Sequence, residues 1–218
     1  MIRLDNLTKI YFSGGVTKTV TREITISFPT NGATALIGRN GAGKSSLLKI
    51  IAGTMRPTSG RVRVAGSVSW PVGFAGCFHG DLSGLQNTRF VARVYGVRTD
   101  QLVEHVSQTA ELGAHFHMPF RMYSSGMKAR LAFAVSMGID FDTYLIDEVT
   151  SVGDASFREK SEAMLMSRLQ NKAAIVVSHN LPLLSRLCKS ALVLENGTGV
   201  WFNDVDDAIA AHEANLAQ

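Results

Sequence analysis

The chain has 218 residues, of which 45% are hydrophobic and 18% are charged, and its formal net charge at pH 7 is +4. This composition excludes a disordered chain, and the length allows one large domain or one domain with a subdomain. The small charge does not argue for nucleic acid as a partner. The sequence contains no run of about eighteen apolar residues, so it predicts no membrane span. Residues 1–5 lack a secretory pattern, and Cys77 and Cys188 are expected to be buried thiols of a reducing cytosol.

Strands dominate the predicted N-terminal part of the chain. Residues 2–10 and 23–28 have the composition of two strands at an antiparallel edge, with a Gly-Gly turn region between them. The apolar run at residues 33–37 predicts a buried strand, and residues 45–52 predict the helix that follows. Residues 61–65 alternate charged and apolar side chains, which predicts a half-exposed strand.

The segment GRNGAGKS at residues 38–45 fits the pattern G-x-x-x-x-G-K-[ST] between a predicted strand and a predicted helix. Its glycines let the backbone curl, so that successive N–H groups and the helix N-terminus face an anionic phosphate. Lys44 would reach the outer phosphates, and the Ser45 hydroxyl would ligate Mg²⁺. The sequence therefore predicts a nucleoside triphosphate site formed by Gly38, Arg39, Asn40, Gly41, Ala42, Gly43, Lys44, Ser45 and Ser46.

A mostly helical portion is predicted from about residue 72 to residue 140, with many glycines at its start. Within it, Ser124 and Ser125 precede a strongly helical stretch and have the character of helix caps. A helix N-terminus that carries hydroxyl donors and Gly126 can receive a phosphate group. Taken alone, the same segment is more typical of an ordinary capped helix.

Two carboxylates, Asp147 and Glu148, follow the apolar residues 144–146, which predict a buried strand. In phosphoryl transfer the first acid typically organises the metal, and a neighbouring group orients the attacking water. Asp147 suits the first role and Glu148 the second, although an isolated acid pair after a strand is more often a surface feature. From residue 143 onward strands and helices alternate, as in a parallel sheet, and residues 204–216 form a last amphipathic segment.

Five motifs in this order resemble the ATPase subunit of an ABC transporter, and the resemblance covers nearly the whole chain. YSSGM at residues 123–127 occupies the place of the family signature, and SVGD at residues 151–154 that of the D-loop. His179 matches the switch histidine, and Tyr11 the aromatic residue that stacks on adenine. The resemblance implies the α/β ABC ATPase fold: a phosphate-loop core with a parallel sheet, an antiparallel N-terminal edge and an inserted helical subdomain.

The resemblance also implies one ATP-binding domain over residues 1–218. Its nucleotide-binding core would take residues 1–71 and 141–218, and its helical subdomain residues 72–140. The implied cofactors are ATP and Mg²⁺, with the metal on Ser45 and Asp147. The implied roles are catalysis by Glu148, His179 and Lys44, adenine stacking by Tyr11, phosphate closure by Ser124, Ser125 and Gly126, and a cross-dimer contact by Asp154.

One chain carries one phosphate loop and one signature, so the resemblance implies a homodimer in which each signature closes over the other subunit's ATP. SWPVG at residues 69–73, YSSGMK and IDEVTSVGD resemble the ATPases that export capsular polysaccharide of the polysialic-acid or group 2 type. The exporters of O-antigen and teichoic acid share parts of this pattern. Some of them carry a long C-terminal domain, and the short chain favours the capsule type.

Capsule export implies a polytopic permease as partner, together with periplasmic and outer-membrane export proteins, at the cytoplasmic face of the bacterial inner membrane. The apolar segment at residues 70–79 is then either a docking surface for the membrane partner or buried packing between subdomains. It departs from the family because no glutamine lies near residues 72–75, and Gln86 comes about a dozen residues too late. Other ABC exporters, and a soluble ABC ATPase acting on ribosomes or DNA, are the alternatives. The last class typically has two cassettes or long coiled coils, which this chain lacks.

Overall fold

The computed structural model describes residues 1–147 and 155–216. Over these residues the strands are β1 (Ile2–Ser13), β2 (Val16–Phe28), β3 (Gly32–Ile37), β4 (Ser59–Val64), β5 (Val68–Val72), β6 (Thr143–Asp147), β7 (Ala173–Val177), β8 (Cys188–Glu195) and β9 (Thr198–Phe202). The α-helices are α1 (Lys44–Ile51), α2 (Gly84–Val94), α3 (Thr99–Ala110), α4 (Ser125–Gly138), α5 (Ala155–Leu169), α6 (Leu181–Leu187) and α7 (Val205–Leu216).

Strands β2, β1 and β4 form an antiparallel sheet in that order. Gly14 and Gly15, which connect β1 to β2, have positive φ angles of 57° and 79°. A two-residue hairpin turn of this kind needs positive φ at both positions, which glycine adopts without strain. Ser13 therefore pairs with Val16, and the first strand runs three residues beyond the predicted end at residue 10.

The other sheet has the strand order β5-β6-β7-β3-β8-β9. Strands β6, β7, β3 and β8 run parallel to one another, and β9 returns antiparallel to β8. All five residues of β7 are buried, and β3 is buried after its first residue, as expected for central strands covered on both faces. The mixed sheet and the separate antiparallel sheet confirm the predicted α/β class.

Contacts divide the described chain into two compact units. The first, here called the core unit, contains Met1–Pro71, strand β6 and the described chain from Leu169 onward. The second, the helical unit, contains Val72–Asp140 and α5 up to Arg168.

Each unit has its own apolar interior. In the core unit Leu47 and Leu48 of α1 pack with Leu36, Leu145 and Ile175 of the sheet, and this packing holds α1 against the sheet. In the helical unit Phe133 of α4 meets Phe157 of α5 edge to face, with ring centroids 6.0 Å apart. Within residues 1–147 and 155–216, no helix is both long and apolar enough to cross a bilayer.

Candidate nucleotide site

Parallel strands bring three segments of the core unit to one edge of the sheet. Strand β3 ends at Ile37, directly before the phosphate loop (residues 38–45), and its neighbour β7 leads into His179. Strand β6 ends at Asp147, which pairs with Val177 of β7. Because the carboxyl ends of parallel strands share one edge, the loop and these two polar residues lie on the same side of the sheet.

Two glycines of the phosphate loop lie where no side chain would fit. A β-carbon on Gly38 would come within 2.4 Å of the Leu194 carbonyl oxygen, and one on Gly43 within 2.8 Å of Val20 Cβ. Gly43 also precedes helix α1 with a left-handed φ of 104°. The loop can therefore curl closely between β8 and β2 only because these positions are glycine.

Helix α1 starts at the end of this loop, and no side chain caps its N-terminus. The first N–H groups of a helix have no acceptor within the helix, and the helix dipole makes this end positive. Both effects favour an anion in front of Lys44, Ser45 and Ser46.

The Lys44 side chain turns back into the loop. Its ammonium donates to the carbonyl oxygens of Gly38, at 2.6 Å, and Arg39, at 3.1 Å, and the residue is only 9% exposed. A nearly buried ammonium on the inner side of the loop adds a full positive charge to the partial charge of the helix.

A cavity of about 340 Å³ lies against the loop. Eight predicted site residues line it, namely Tyr11, Asn40, Gly41, Gly43, Lys44, Ser45, Ser46 and His179. The described lining contains no carboxylate and two lysines, Lys18 and Lys44. The cavity is therefore electropositive and suited to a phosphorylated ligand.

Lys18 is a lining residue that the sequence analysis missed. It pairs with Tyr11 across the β1–β2 hairpin, and its Nζ would lie 3.1 Å from a β-carbon placed on Gly41. The Gly-Gly turn is the sequence signal that could have found it, because a two-residue hairpin fixes the register of both strands. The other unpredicted lining residues, Val20 and Val177, give the cavity two apolar walls.

Tyr11 is anchored by its hydroxyl to the start of α1. This hydroxyl donates to Met55 Sδ at 3.1 Å and shares a hydrogen bond of 2.9 Å with Ser46 Oγ. The Lys9 ammonium lies 5.1 Å from the centre of the Tyr11 ring. These contacts hold an aromatic ring beside the phosphate loop.

The family model for the ABC transporter matches residues 21–151, which include the phosphate loop and Asp147. This chain belongs to the ABC transporter family. Membership confirms the family resemblance on which the site residues were assigned.

Several curated relatives align with most of this ABC transporter chain. The polysialic acid transport ATP-binding protein KpsT of Escherichia coli is 44% identical over 219 residues, covering 99% of this chain and 100% of that protein. The capsule polysaccharide export ATP-binding protein CtrD of Neisseria meningitidis is 40% identical over 208 residues, 95% of this chain and 96% of that protein. The O-antigen export system ATP-binding protein RfbB of Klebsiella pneumoniae is 38% identical over 178 residues, 80% and 72% of the two chains.

Solved structures of ABC cassettes share the fold. The ATP-binding cassette MJ0796, in a dimeric post-hydrolysis structure bound to ADP and Pi, superposes with a TM-score of 0.79 at 21% identity. The superposition covers 93% of this chain and 98% of that one. At this identity the likeness confirms the ABC ATPase fold.

The segment at the family's switch position is held by local hydrogen bonds. Ser178 Oγ accepts from the Asn180 N–H at 3.1 Å, and Asn180 Oδ1 caps α6 by accepting from the Leu183 N–H at 3.1 Å. His179 lies between these two caps and lines the cavity. The turn therefore presents the imidazole toward the phosphate loop.

The signature residues lie on the surface of the helical unit. Ser124 is the N-cap of α4, and its Oγ accepts from the Met127 N–H at 3.2 Å. Ser124 and Ser125 are exposed, and a β-carbon on Gly126 would find only Ser124 Oγ, at 4.0 Å. None of the three lines the cavity of the core unit.

Some predicted site residues are not brought into the cavity. Gly38, Arg39 and Ala42 belong to the loop but do not line the cavity. Asp147 is half-buried at the end of β6 and does not line the cavity either. The predicted catalytic Glu148 and the predicted D-loop residue Asp154 lie outside the described residues.

The Gln86 side chain forms part of the capping box of α2. The Gln86 Oε1 atom accepts from the Ser83 main-chain N–H at 2.8 Å, and the Gln86 main-chain N–H donates to Ser83 Oγ at 3.1 Å. This use of the side chain agrees with the expectation that Gln86 does not replace the family's usual glutamine.

The residues at the sheet edge that could hold Mg²⁺ carry oxygen donors, the Ser45 hydroxyl and the Asp147 carboxylate. Mg²⁺ prefers such hard oxygen ligands and is usually held by one or two protein groups together with substrate phosphates and water. The described residues contain no cluster of three or more metal-binding side chains.

Proposed function

We propose that this chain is the ATP-hydrolysing motor subunit of an ABC transporter that exports capsular polysaccharide across the bacterial inner membrane. The observation that carries the proposal is the alignment with KpsT and CtrD, which covers at least 95% of this chain and of each relative. RfbB aligns over a smaller part of both chains, so export of O-antigen or teichoic acid is the alternative.

ATP binding follows from the cavity of the core unit. The phosphates would lie on the N–H groups of the loop and the start of α1, with Lys44 on the outer phosphates. Lys18 adds a second ammonium at Gly41, and the ring of Tyr11 would stack on adenine. The α1 dipole and the two lysines together neutralise much of the triphosphate charge.

Hydrolysis needs a positioned water molecule and a proton acceptor. Glu148 would polarise the water and accept its proton as the water oxygen bonds to the γ-phosphorus and the bond to the β–γ bridging oxygen breaks. His179 would contact the γ-phosphate. Mg²⁺, held by Ser45 and through water by Asp147, would neutralise charge that develops on the phosphates.

Completion of the site by a second copy follows from the position of the signature. Ser124, Ser125 and Gly126 present polar groups at the exposed N-terminus of α4, where an anion is favoured. A head-to-tail homodimer would place them over the γ-phosphate of the partner copy, with Asp154 as a cross-dimer contact. Two ATP molecules would then close the dimer, and hydrolysis would open it.

The helical unit offers an exposed apolar patch (Phe74, Phe90, Val94 and Tyr95) for the permease. Phe90 and Val94 lie one turn apart on α2 and are 54% and 61% exposed, and Phe74 is 50% exposed. Tyr95, at the end of α2, is 44% exposed, and burial raises the pKa of its hydroxyl. Cys77, three residues after Phe74, is exposed, so the expectation that it is buried is wrong, whereas Cys188 is buried as expected. Exposed apolar side chains grouped in this way are typical of a protein interface.

The segment at residues 70–79 contains both buried and exposed apolar side chains, and its buried residues pack within single units. Trp70, Val72 and Phe78 are buried, and Trp70 packs edge to face on Phe141 at 5.6 Å within the core unit. Phe74 alone of these large apolar residues faces outward. The segment would therefore serve both packing and docking, at the cytoplasmic face of the membrane.

Detergent co-purification of the tagged chain from its native membranes, with proteins and lipids identified by mass spectrometry, tests this function. We expect a polytopic permease together with periplasmic and outer-membrane capsule-export proteins, or with lipid-linked polysaccharide. A permease that brings O-antigen or teichoic-acid components would replace capsule export by the alternative. Recovery of ribosomes or DNA without any membrane protein would contradict an exporter.

A further inference from the structure

The second residue of the phosphate loop, Arg39, is tied to the C-terminal helix. Its Nη2 donates to the main-chain oxygen of Asn215 near the end of α7, and its Nε lies 3.9 Å from Glu195 Oε1 at the end of β8. Asn215 Nδ2 donates in turn to Glu195 Oε2. The three residues therefore form a closed set of polar contacts that joins the loop, β8 and α7.

The backbone below these contacts is equally close. Gly38 precedes Arg39, and the position of its β-carbon would be 2.4 Å from the carbonyl oxygen of Leu194, which precedes Glu195. The start of the loop therefore lies directly against the end of β8, with no room for a side chain between them. A displacement of Glu195 would be passed to the loop through both main chain and side chain.

The charged groups near Arg39 and Glu195 favour the contact between these two residues. His212, three residues before Asn215 on α7, is only 8% exposed, and burial lowers its pKa against the opposing influence of Glu195. The lowered pKa favours the neutral imidazole, which adds no positive charge beside Arg39 and Lys44. The Glu195 carboxylate is then the group that faces the Arg39 guanidinium.

Arg39 is held from two sides, and only one of them involves the Lys44 ammonium, for which phosphate oxygens would compete. Its carbonyl oxygen accepts from the Lys44 ammonium at 3.1 Å, and its guanidinium contacts α7 and β8. Phosphate oxygens compete for the Lys44 donors, because an ammonium has three N–H groups. The contact with α7 and β8 does not depend on those donors.

We infer that Glu195 and Asn215 are positioning residues for nucleotide binding, which act through Arg39 to keep the phosphate loop in its binding shape. The inference rests on the proposed ATP site. It assigns the C-terminal helix a part in ATP affinity, although no residue of α7 lines the cavity.

The first test compares Glu195→Gln and Asn215→Ala with the unsubstituted full-length chain by titration with ATP. We expect the ATP dissociation constant to rise about 2- to 5-fold, as for the loss of a partly exposed ion pair, because the main-chain contact of Arg39 with residue 215 remains in both variants. The kcat at saturating ATP should stay within about twofold, since the catalytic groups are untouched. Asp207→Asn is the matched control, because it removes one exposed acid from the other end of α7.

A double-mutant cycle separates positioning from a general loss of stability. If Glu195 acts through Arg39, Glu195→Gln should add almost nothing to the ATP dissociation constant of Arg39→Ala, and Arg39→Lys should recover part of the affinity. Thermal unfolding of each variant should report intact folding before the titration.

Three results have distinct meanings. Unchanged ATP affinity in both single variants, or effects that add to that of Arg39→Ala, would overturn the inference while leaving the ATP site intact. Failure of the unsubstituted chain to bind ATP would overturn the proposed function and, with it, this inference. A raised dissociation constant with non-additivity is the result expected here.

Discussion

The phosphate loop and the signature segment both offer N–H and hydroxyl donors at a helix N-terminus, but their surroundings are opposite. The loop lies against a cavity, and its Lys44 is only 9% exposed and bonded to two carbonyl oxygens. In the signature segment Ser124 and Ser125 are exposed, and Gly126 is bordered by open space. One set of donors surrounds a ligand position, and the other lies on a surface.

This difference separates two steps of the proposed reaction. An enclosed, positively charged cavity can bind a triphosphate within one chain, because its donors converge on one point. Donors on an open surface gain strength only when a second surface excludes water from them. Binding should therefore need only the core unit, and hydrolysis should need the signature of another copy.

The largest expected effect separates hydrolysis from binding. Glu148→Gln removes the proposed proton acceptor, and we expect turnover to fall by about 10² to 10⁴ while ATP affinity stays near that of the unsubstituted chain. Phosphate release and ATP titration measure the two quantities. Glu159→Gln removes an exposed acid from α5 and should change neither one. Normal turnover in Glu148→Gln would contradict the assignment.

A smaller effect is expected from a charge placed at the signature. Gly126→Asp fits the fold, because its β-carbon would meet only Ser124 Oγ, at 4.0 Å, but it sets a carboxylate where the γ-phosphate should dock. We expect ATPase activity to fall on the order of 10² with ATP binding retained. Gly80→Asp is the control, since a β-carbon there makes one ordinary contact, at 3.6 Å to Arg121. Loss of ATP binding in Gly126→Asp would break the proposed division of labour.

A substitution at Lys18 tests how the phosphate loop binds ATP, and a moderate effect on ATP affinity is expected. Lys18→Ala removes one of two lysines from the described lining, and we expect the ATP dissociation constant to rise about fivefold, as for a partly exposed ion pair. The effect should shrink at high salt because screening weakens such pairs. Lys49→Ala removes an exposed lysine of α1 that does not line the cavity and serves as the control. Equal affinities in the two variants would exclude Lys18 from phosphate binding.

The smallest effect concerns the stability of the helical unit. Burial and the nearby Arg168 lower the pKa of His105. The Nε2 atom of His105 is buried and has no hydrogen-bond partner. The unfolded chain therefore takes up a proton near pH 6.5 that the folded chain resists, so stability is lost as pH falls through this range. His105→Gln should reduce the fall in Tm between pH 7.5 and 5.5 by about 1 to 2 °C. An unchanged fall in Tm would exclude His105 as a source of the acid sensitivity.

The local parts of the fold and the site could be predicted from sequence because their signals are local. The strand, loop and helix around residues 33–52 follow from apolar runs and glycine spacing, and the cap at Ser124 follows from a serine before a helical stretch. Lys18 could not be placed in this way, because its position depends on pairing with Tyr11 across the hairpin. The sequence could not decide between docking and buried packing for residues 70–79, because Phe74 and Phe78 have the same chemistry but opposite burial.

Mixing two inactive variants tests the shared site most directly. A Lys44→Ala chain keeps a working signature, and a Gly126→Asp chain keeps a working phosphate loop, so a mixed dimer contains one complete site. We predict that neither variant alone hydrolyses ATP appreciably and that the mixture recovers a clear fraction of the original activity. No recovery in a mixture shown to form mixed dimers would contradict a site completed by a second copy.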